Sequence, residues 1–403
     1  MTDLKREIFR LEPVLVAKPW GAPPDLWRAE TGVEFPADAG DRYGEAWTAS
    51  AYEAKEGFTN RATPAAGGDP RTVAGLAREF GAALTGPRGA RGPDEARGKT
   101  EAWYVRAVGG PVKFVTGLRP EVTPADFREA IASGLLENPP GLEALEERLV
   151  TTLAPEPGTA LVLKPGALHT IWPMEPEAWV VFDEVQQAYG DSRLATLSKI
   201  LFVQGEPLSL QIHPSDKLVA EETRPEVAER YRTEPTIRAS DLGRGRPTQP
   251  DLAAEIAAYG LVASSATEPI GFEVAPGARR TIEVANSMFA AERYDLEAGA
   301  EVRLGPEPGS YRVLVVARGS GRFETRGGGP VACGRGEAYL LPAAGGEWRI
   351  GADEPMRVMV NYVPDVAALA ADLRKLGYAD DRIAGLDGRC YTNDFEGLCD
   401  SAV

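Results

Sequence analysis

The stretch EPLSLQIHPSDK, residues 206–217, alternates apolar and polar side chains over most of its length. In an extended strand successive side chains point to opposite faces, so the alternation predicts one apolar surface, formed by Leu208, Leu210 and Ile212. The polar side chains predicted on the other face are Ser209, Gln211 and His213. An amide oxygen and an imidazole nitrogen on one face can reach the same ion. Two interpretations follow, a half-buried strand with a solvated polar face and a metal site.

Length and composition define the general class of the chain. With 403 residues it exceeds what one hydrophobic core usually supports, so two domains are expected. Its hydrophobic content of 43% is that of an ordinary soluble globular protein. No apolar run approaches the length of a membrane span, and the start MTDLKREIFR lacks the apolar core of a signal peptide. A cytoplasmic protein without membrane association is therefore expected.

The charge of the chain limits its partners. The 44 Lys and Arg residues against 60 Asp and Glu residues give a net charge of −16. A field of this sign repels nucleic acid and anionic membranes, so neither is expected as a partner. An anionic small molecule must instead meet a local cluster of basic side chains.

Histidine and cysteine restrict the kind of metal site. His169 and His213 are the only two histidines, so any imidazole chemistry must use them. The three cysteines lie late in the chain without a C-x-x-C pair, which argues against a thiolate site and a disulfide framework. A histidine taken singly is more often a partly buried structural residue than a ligand.

The spacing of short apolar segments predicts a mainly β protein. Strand-like runs bounded by Gly and Pro surround helical segments in the first part, which indicates a barrel-like core. A second block of short strands with Gly-rich turns begins near Ile270 and is typical of another β-sandwich or barrel. The expected divisions are 1–262 with helical insertions at about 120–150 and 218–262, then 263–364, and a terminal helix and tail over 365–403.

Several motifs together carry a resemblance to a known family. The three most specific are GKTEAWYV (98–105), PGALHTIW (165–172) and LSLQIHPSDK (208–217). Further matches are KPWG (18–21), GEAWTAS (44–50), DEVQQAYGDSR (183–193) and SKILF (198–202). Over residues 10 to about 360 the chain resembles the type I, zinc-dependent mannose-6-phosphate isomerases, or phosphomannose isomerases, of the cupin superfamily. The resemblance implies two cupin-like jelly-roll β-barrels with helical insertions, the first of them catalytic.

The resemblance also implies a metal site. Carried over residue by residue, its ligands are Glu101, His169, Gln211 and His213. Two imidazoles, a carboxylate and an amide oxygen suit Zn²⁺ or another divalent first-row metal, and a site without thiolates is typically catalytic.

Two features depart from the family pattern. The Gln-x-His strand comes before the Gly-Lys-Thr-Glu motif in the family, whereas here it follows the DEVQQ segment, so the motif order is permuted. A strand delivered by a later segment can fill the same place in a barrel. The segment QQAYGDSR is also shorter than its family counterpart and lacks the usual Asp four residues before Arg193.

Other candidate residues follow from the same motifs. The predicted catalytic residues are Arg193, Lys99 and Glu184. The predicted substrate-binding residues are Lys199, Ser209 and Trp20. Basic side chains among them supply charge for an oxyanion or a phosphate. Without the resemblance, each lysine or arginine would more often be a solvated side chain, Glu184 a surface acid, and Trp20 a core residue.

The expected function is a metal-dependent isomerase that interconverts mannose 6-phosphate and fructose 6-phosphate by proton transfer through an enediolate. One alternative is an isomerase of a different sugar phosphate, which the altered QQAYGDSR segment keeps open. Another is a non-catalytic cupin that binds a sugar or a metal. The expected partner is a small-molecule sugar phosphate, and a monomer is favoured.

Overall fold

The structure is a computed structural model that describes residues 4–5, 7–53, 58–91, 98–136, 141–261, 266–305, 309–325, 328–389 and 392–396. Strands dominate these residues, so the predicted mainly β class is confirmed. Each helix among these residues is too short or too polar to span a bilayer.

The strands of the first region are β1 (Phe9–Glu12), β2 (Val14–Ala22), β3 (Tyr43–Ala49), β4 (Arg61–Pro64), β5 (Arg71–Thr72), β6 (Glu101–Gly109), β7 (Val112–Leu118), β8 (Val150–Leu153), β9 (Ala160–Leu163), β10 (Thr170–Pro173), β11 (Trp179–Gln187), β12 (Thr196–Gln204), β13 (Leu210–Ile212) and β14 (Ile237–Ser240). The later strands are β15 (Ile270–Ala275), β16 (Ala278–Ala285), β17 (Ala290–Leu296), β18 (Glu301–Leu304), β19 (Arg312–Arg318), β20 (Ser320–Thr325), β21 (Val331–Gly334), β22 (Ala338–Leu341), β23 (Trp348–Ala352) and β24 (Met356–Tyr362). The helices are α1 (Pro24–Thr31), α2 (Val73–Phe80), α3 (Ala82–Gly89), α4 (Pro124–Ala132), α5 (Leu142–Arg148), α6 (Asp216–Glu221), α7 (Pro225–Thr233), α8 (Pro250–Ile256), α9 (Val366–Lys375) and α10 (Asp380–Ala384).

The first region is built around a six-stranded sheet with the order β2-β3-β12-β11-β6-β9. A three-stranded sheet, β10-β7-β8, packs against it through a shared aromatic and aliphatic core. Strand β11 is buried along both faces. Val181 and Val185 pack into one core, while Phe182 lies in the core between the two sheets. Since side chains alternate along a strand, Glu184 and Gln186 face the same interior as Phe182.

The predicted helical insertions fold together as one unit. Residues from α4, α5, α7 and α8 share a core with Leu210 and Ile212 of β13. Thr123 followed by Pro124 predicts a helix start, and Thr123 does cap α4 with its hydroxyl. The Asp126 carboxylate bonds back to the Thr123 backbone N–H. The insertion also contains β14, which pairs with β13 and which we did not predict. Leu208 was predicted on the same surface as Leu210 but packs in the inter-sheet core, because the regular strand begins only at Leu210.

The later region contains a nine-stranded sheet with the order β15-β16-β17-β24-β19-β22-β1-β4-β5. A four-stranded sheet, β18-β23-β20-β21, completes it. Three strands from the start of the chain thus join this sheet, with Phe9 paired to Leu340 and to Pro64. The predicted terminal helix is present as α9. The division at 262 stays a prediction, since 262–265 lie outside the described residues.

Candidate metal centre

Three buried side chains from separate parts of the chain converge inside the first region. Glu101 begins β6, His169 lies just before β10, and His213 lies just after β13. One ligating atom from each lies within 4.8 Å of the others. The two imidazole centroids are 4.9 Å apart. Three of the four predicted metal ligands are therefore brought together.

A backbone bridge brings the two histidine segments together. The His169 N–H donates to the Gln211 carbonyl at 2.8 Å, and the Gln211 N–H donates to the His169 carbonyl at 3.0 Å. Directly opposed residues in an antiparallel pair project their side chains to the same face. Gln211 is two positions from His213, so its position supports the predicted fourth ligand without testing it.

A close approach of two segments holds Glu101 beside His213. The Gly98 N–H donates to Asp216 Oδ1 at 2.7 Å, and the Lys99 N–H donates to the Pro214 carbonyl at 3.2 Å. A Cβ at Gly98 would lie 2.1 Å from the Pro214 carbonyl oxygen, closer than any real contact. Only glycine fits there, which explains the first position of the Gly-Lys-Thr-Glu motif.

Hydrogen bonds define the tautomer of both imidazoles. His169 Nδ1 lies 3.0 Å from the Ala167 carbonyl oxygen, and His213 Nδ1 lies 2.7 Å from the Pro235 carbonyl oxygen. A carbonyl only accepts, so each Nδ1 carries the hydrogen. Burial lowers the pKa of both histidines, that of His213 to about 3. Both rings are therefore neutral, and each directs the lone pair of Nε2 toward the cluster.

The converging atoms fit a bound cation. His169 Nε2 is 3.6 Å from Glu101 Oε2, and His213 Nε2 is 3.3 Å from Glu101 Oε1. Because neither Nε2 carries hydrogen in this tautomer, these contacts are not hydrogen bonds. Both Nε2 atoms and Glu101 Oε2 are buried, and none of the three has a hydrogen-bond partner among the described residues. Lone pairs that face one another are unfavourable unless a cation lies between them, and this donor set suits a divalent metal.

Two lysines and a second carboxylate extend the polar interior. Lys99 forms an ion pair with Glu101, and although burial opposes ionisation, the net effect holds the pKa of Glu101 well below its ordinary value. Glu184 lies directly across from Lys199 on β12, with a contact of 3.0 Å. Burial, and then the negative charge of Glu101, raise the pKa of Glu184 to about 7. Three more predicted residues therefore lie in this interior.

Glu45 was not predicted from the sequence as a site residue, although its carboxylate adds to the buried charges around Lys199. Its carboxylate pairs with Lys18 at 3.2 Å and accepts from Trp47 Nε1 at 2.7 Å. Burial opposes its ionisation, but Lys199 and Lys18 lower the pKa of Glu45 to about 2. The available signal was the alternation in GEAWTAS, which puts Glu45 and Trp47 on one face.

The remaining predicted residues have different surroundings. Ser209 is buried just before β13. Trp20 is 4% exposed and packs in the same apolar core as Trp103, which touches His169 edge-on at 5.8 Å. Arg193 is half-buried in the connection between β11 and β12, and its carbonyl accepts from the Arg91 N–H at 3.2 Å. The functional roles of Ser209, Trp20 and Arg193 stay predictions.

Comparisons with known proteins place this geometry in a known fold. No family model matches the chain, and no curated protein matches it. Among solved structures, mannose 6-phosphate isomerase from Bacillus subtilis is similar with a TM-score of 0.58 and 17% identity over 88% of this chain and 99% of that one. A variant of phosphomannose isomerase from Salmonella typhimurium is similar with a TM-score of 0.53 and 10% identity over 89% of this chain and 100% of that one.

A mannose 6-phosphate isomerase bound with zinc and yttrium is also similar, with a TM-score of 0.53 and 11% identity over 89% of this chain and 99% of that one. At these identities the likeness shows the fold. The chain has the mainly β, cupin-like fold of these isomerases, which confirms the predicted fold class. Within that fold it carries a Glu-His-His cluster able to hold a metal.

Proposed function

We propose that this protein is a metal-dependent aldose-ketose isomerase that interconverts mannose 6-phosphate and fructose 6-phosphate. The observation that carries the proposal is the set of unpaired buried atoms of His169, His213 and Glu101. It is supported by the fold shared with proteins named as mannose 6-phosphate isomerases.

The proposed metal ligands are Glu101, His169, His213 and Gln211, and the proposed metal is Zn²⁺. When bound, a divalent cation supplies Lewis-acid stabilisation of the negative charge that develops on the sugar oxygens. Lys99 and Lys199 add fixed positive charge in the same interior, since both are buried and paired with carboxylates. The permuted order of the Gln-x-His motif is part of the proposal.

Glu184 is the proposed proton carrier between the two sugar carbons. It is 3% exposed and lies directly across from Lys199 and, on its other side, Trp103. A carboxylate there is shielded from bulk water and faces the same interior as Glu101. A general base needs this reach to take the proton from one sugar carbon and give it to the next.

Arg193 is the proposed oxyanion or phosphate partner, with Ser209 and Trp20 as further substrate contacts. No ion pair or side-chain hydrogen bond of Arg193 occurs within the part of the chain that the structure describes. An acidic chain needs such a local positive charge to hold a dianion, and a planar guanidinium binds oxyanions bidentately. We further propose a catalytic domain at 1–262, a C-terminal β domain at 263–364 and a tail at 365–403.

The test is turnover by zinc-loaded protein in deuterated water. Conversion of mannose 6-phosphate to fructose 6-phosphate, with deuterium entering at carbon 1 of the product and at carbon 2 of the mannose 6-phosphate that re-forms, is the expected result. A panel of other aldose 6-phosphates and pentose phosphates distinguishes the alternative in which the substrate differs. Fully metallated protein that binds sugar phosphates with neither turnover nor deuterium exchange contradicts catalysis and favours a binding protein.

A further inference from the structure

The side chain of Gln186 is unusual among the buried amides. It is 0% exposed, and within the part of the chain that the structure describes neither Oε1 nor Nε2 has a hydrogen-bond partner. An unpaired buried polar group destabilises a fold, whereas an apolar side chain of similar shape would not. The stability of the β-sheet therefore gives no reason for an amide at this position.

The register of the sheet places Gln186 beside the metal-binding cluster. It lies on β11, two residues after Glu184, and directly across from Glu101 of β6. On its other side it faces Leu197 of β12. Opposed and alternate residues share a face, so its amide faces the same interior as the two carboxylates.

The neighbouring Gln187 has a different environment. Its Oε1 accepts from the Thr100 backbone N–H at 2.9 Å, and its Nε2 lies 3.4 Å from Asp216 Oδ1. Gln187 is equally buried, at 1% exposure, but it points to the opposite face and joins the segment before β6 to the start of α6. Gln187 is therefore a hydrogen-bonded structural amide, whereas the Gln186 amide faces the candidate site without a partner among the described residues.

We propose that the Gln186 amide binds a hydroxyl group of the sugar phosphate, next to the metal-binding cluster. A hydroxyl donates one hydrogen bond and accepts others, so it satisfies both the carbonyl and the NH₂ of one amide. A metal ion alone would leave the NH₂ unpaired, and a phosphate alone would leave the carbonyl unpaired. Gln186 thus acts as a specificity-determining contact, an inference that rests on the proposed function.

The test compares the same substitution at the two adjacent glutamines, Gln186→Met and Gln187→Met. Gln186→Met should lower kcat/KM for mannose 6-phosphate about tenfold. Its metal content should equal that of the wild type, and its thermal midpoint should not fall, because an unpaired polar group has been removed. Gln187→Met should lower the thermal midpoint, because the Thr100 N–H loses its acceptor.

Calorimetric binding of mannose 6-phosphate separates this inference from the proposed function. Wild-type protein that binds the sugar without turnover, with binding weakened about tenfold in Gln186→Met, supports the inference while the isomerase assignment fails. Normal turnover and unchanged kcat/KM in Gln186→Met overturn the inference while the assignment stands. Loss of metal from Gln186→Met also overturns it, since the amide would then be a ligand. Wild-type protein that neither turns over nor binds the sugar overturns both.

Discussion

The two β regions bury polar side chains in different ways. In the later region the Glu292 carboxylate accepts from Arg280 Nε at 2.9 Å, from Tyr294 at 3.1 Å and from Tyr362 at 2.5 Å. Each of these partners is buried or half-buried. Near Glu101 in the first region, by contrast, several buried atoms have no hydrogen-bond partner in the described ranges.

The difference separates stabilising polar groups from ligand-binding ones. A closed cluster such as that around Glu292 satisfies its own hydrogen bonds and holds strands together. We call the buried polar atoms without partners at Glu101, His169, His213 and Gln186 the open cluster. Such atoms are unfavourable in the protein alone, so a ligand or a metal must satisfy them. Both histidines of the chain belong to the open cluster, and the region after residue 262 has none.

The largest effect is expected from removing a proposed ligand. His213→Ala should weaken Zn²⁺ binding by more than about 100-fold, since changes even outside the ligand shell cost 10- to 100-fold. Competition with a chromophoric chelator measures this affinity. Glu292→Gln is the matched control, because it alters a buried carboxylate of the closed cluster. Equal zinc affinity of His213→Ala and wild type would contradict the comparison.

The second prediction concerns the stability of the control variant. Glu292→Gln leaves the Arg280 guanidinium without its charged partner, so the free energy of unfolding should fall by about 3 kcal/mol. Chemical denaturation measures this change, and metal content should be unaffected. A variant as stable as wild type would show that the cluster around Glu292 does not stabilise the fold.

A third prediction concerns the contact between the C-terminal segment and the loop before His169. Lys164 Nζ lies 2.7 Å from Asp387 Oδ2, and both side chains are buried. Burial raises the pKa of Asp387 from 3.8 to about 6, although Lys164 opposes the shift. The folded state then keeps a proton that the unfolded state releases between these two values. The free energy of unfolding should therefore fall as pH rises through this window, on the order of 2 kcal/mol.

Asp387→Asn tests this prediction because it removes the titrating group. Denaturation curves between pH 4 and pH 7 should show a smaller decrease for the variant than for wild type. Parallel stability profiles for the two proteins would contradict a raised pKa at Asp387.

The smallest effect is expected at Arg193. Its guanidinium has no side-chain partner among the described residues, whereas that of Arg280 is paired with Glu292. If the contact forms only in the transition state, Arg193→Ala should lower kcat and kcat/KM together, about tenfold. If the contact is present throughout the reaction, its loss should mainly raise KM. Metal content should not change, and the free energy of unfolding should stay within about 0.5 kcal/mol of wild type. Unchanged kinetics would remove Arg193 from the site.

Local signals in the sequence predicted much of this architecture. Alternation and turn residues identified the β class, and Thr123 with Pro124 marked the start of α4. Pairing between distant segments left no such signal. The pairing of β1 with β22, and of β13 with the unpredicted β14, depends on packing of the whole chain.

The candidate site shows the same division. Motif resemblance identified Glu101, His169 and His213, which the structure brings together. Neither composition nor spacing distinguishes Gln186 from Gln187, because which amide faces the interior depends on the register of β11 against β6. The unpaired state of an atom is a property of its surroundings and has no local sequence signature.

We expect a divalent metal to complete the cluster of Glu101, His169 and His213. X-ray absorption at the zinc edge, on protein loaded with one equivalent of Zn²⁺, measures its ligands. One ion per chain should be found with only nitrogen and oxygen neighbours at about 2.0–2.2 Å, including two imidazoles. A spectrum with sulfur neighbours, or zinc that dialyses away as readily from wild type as from His213→Ala, would contradict it.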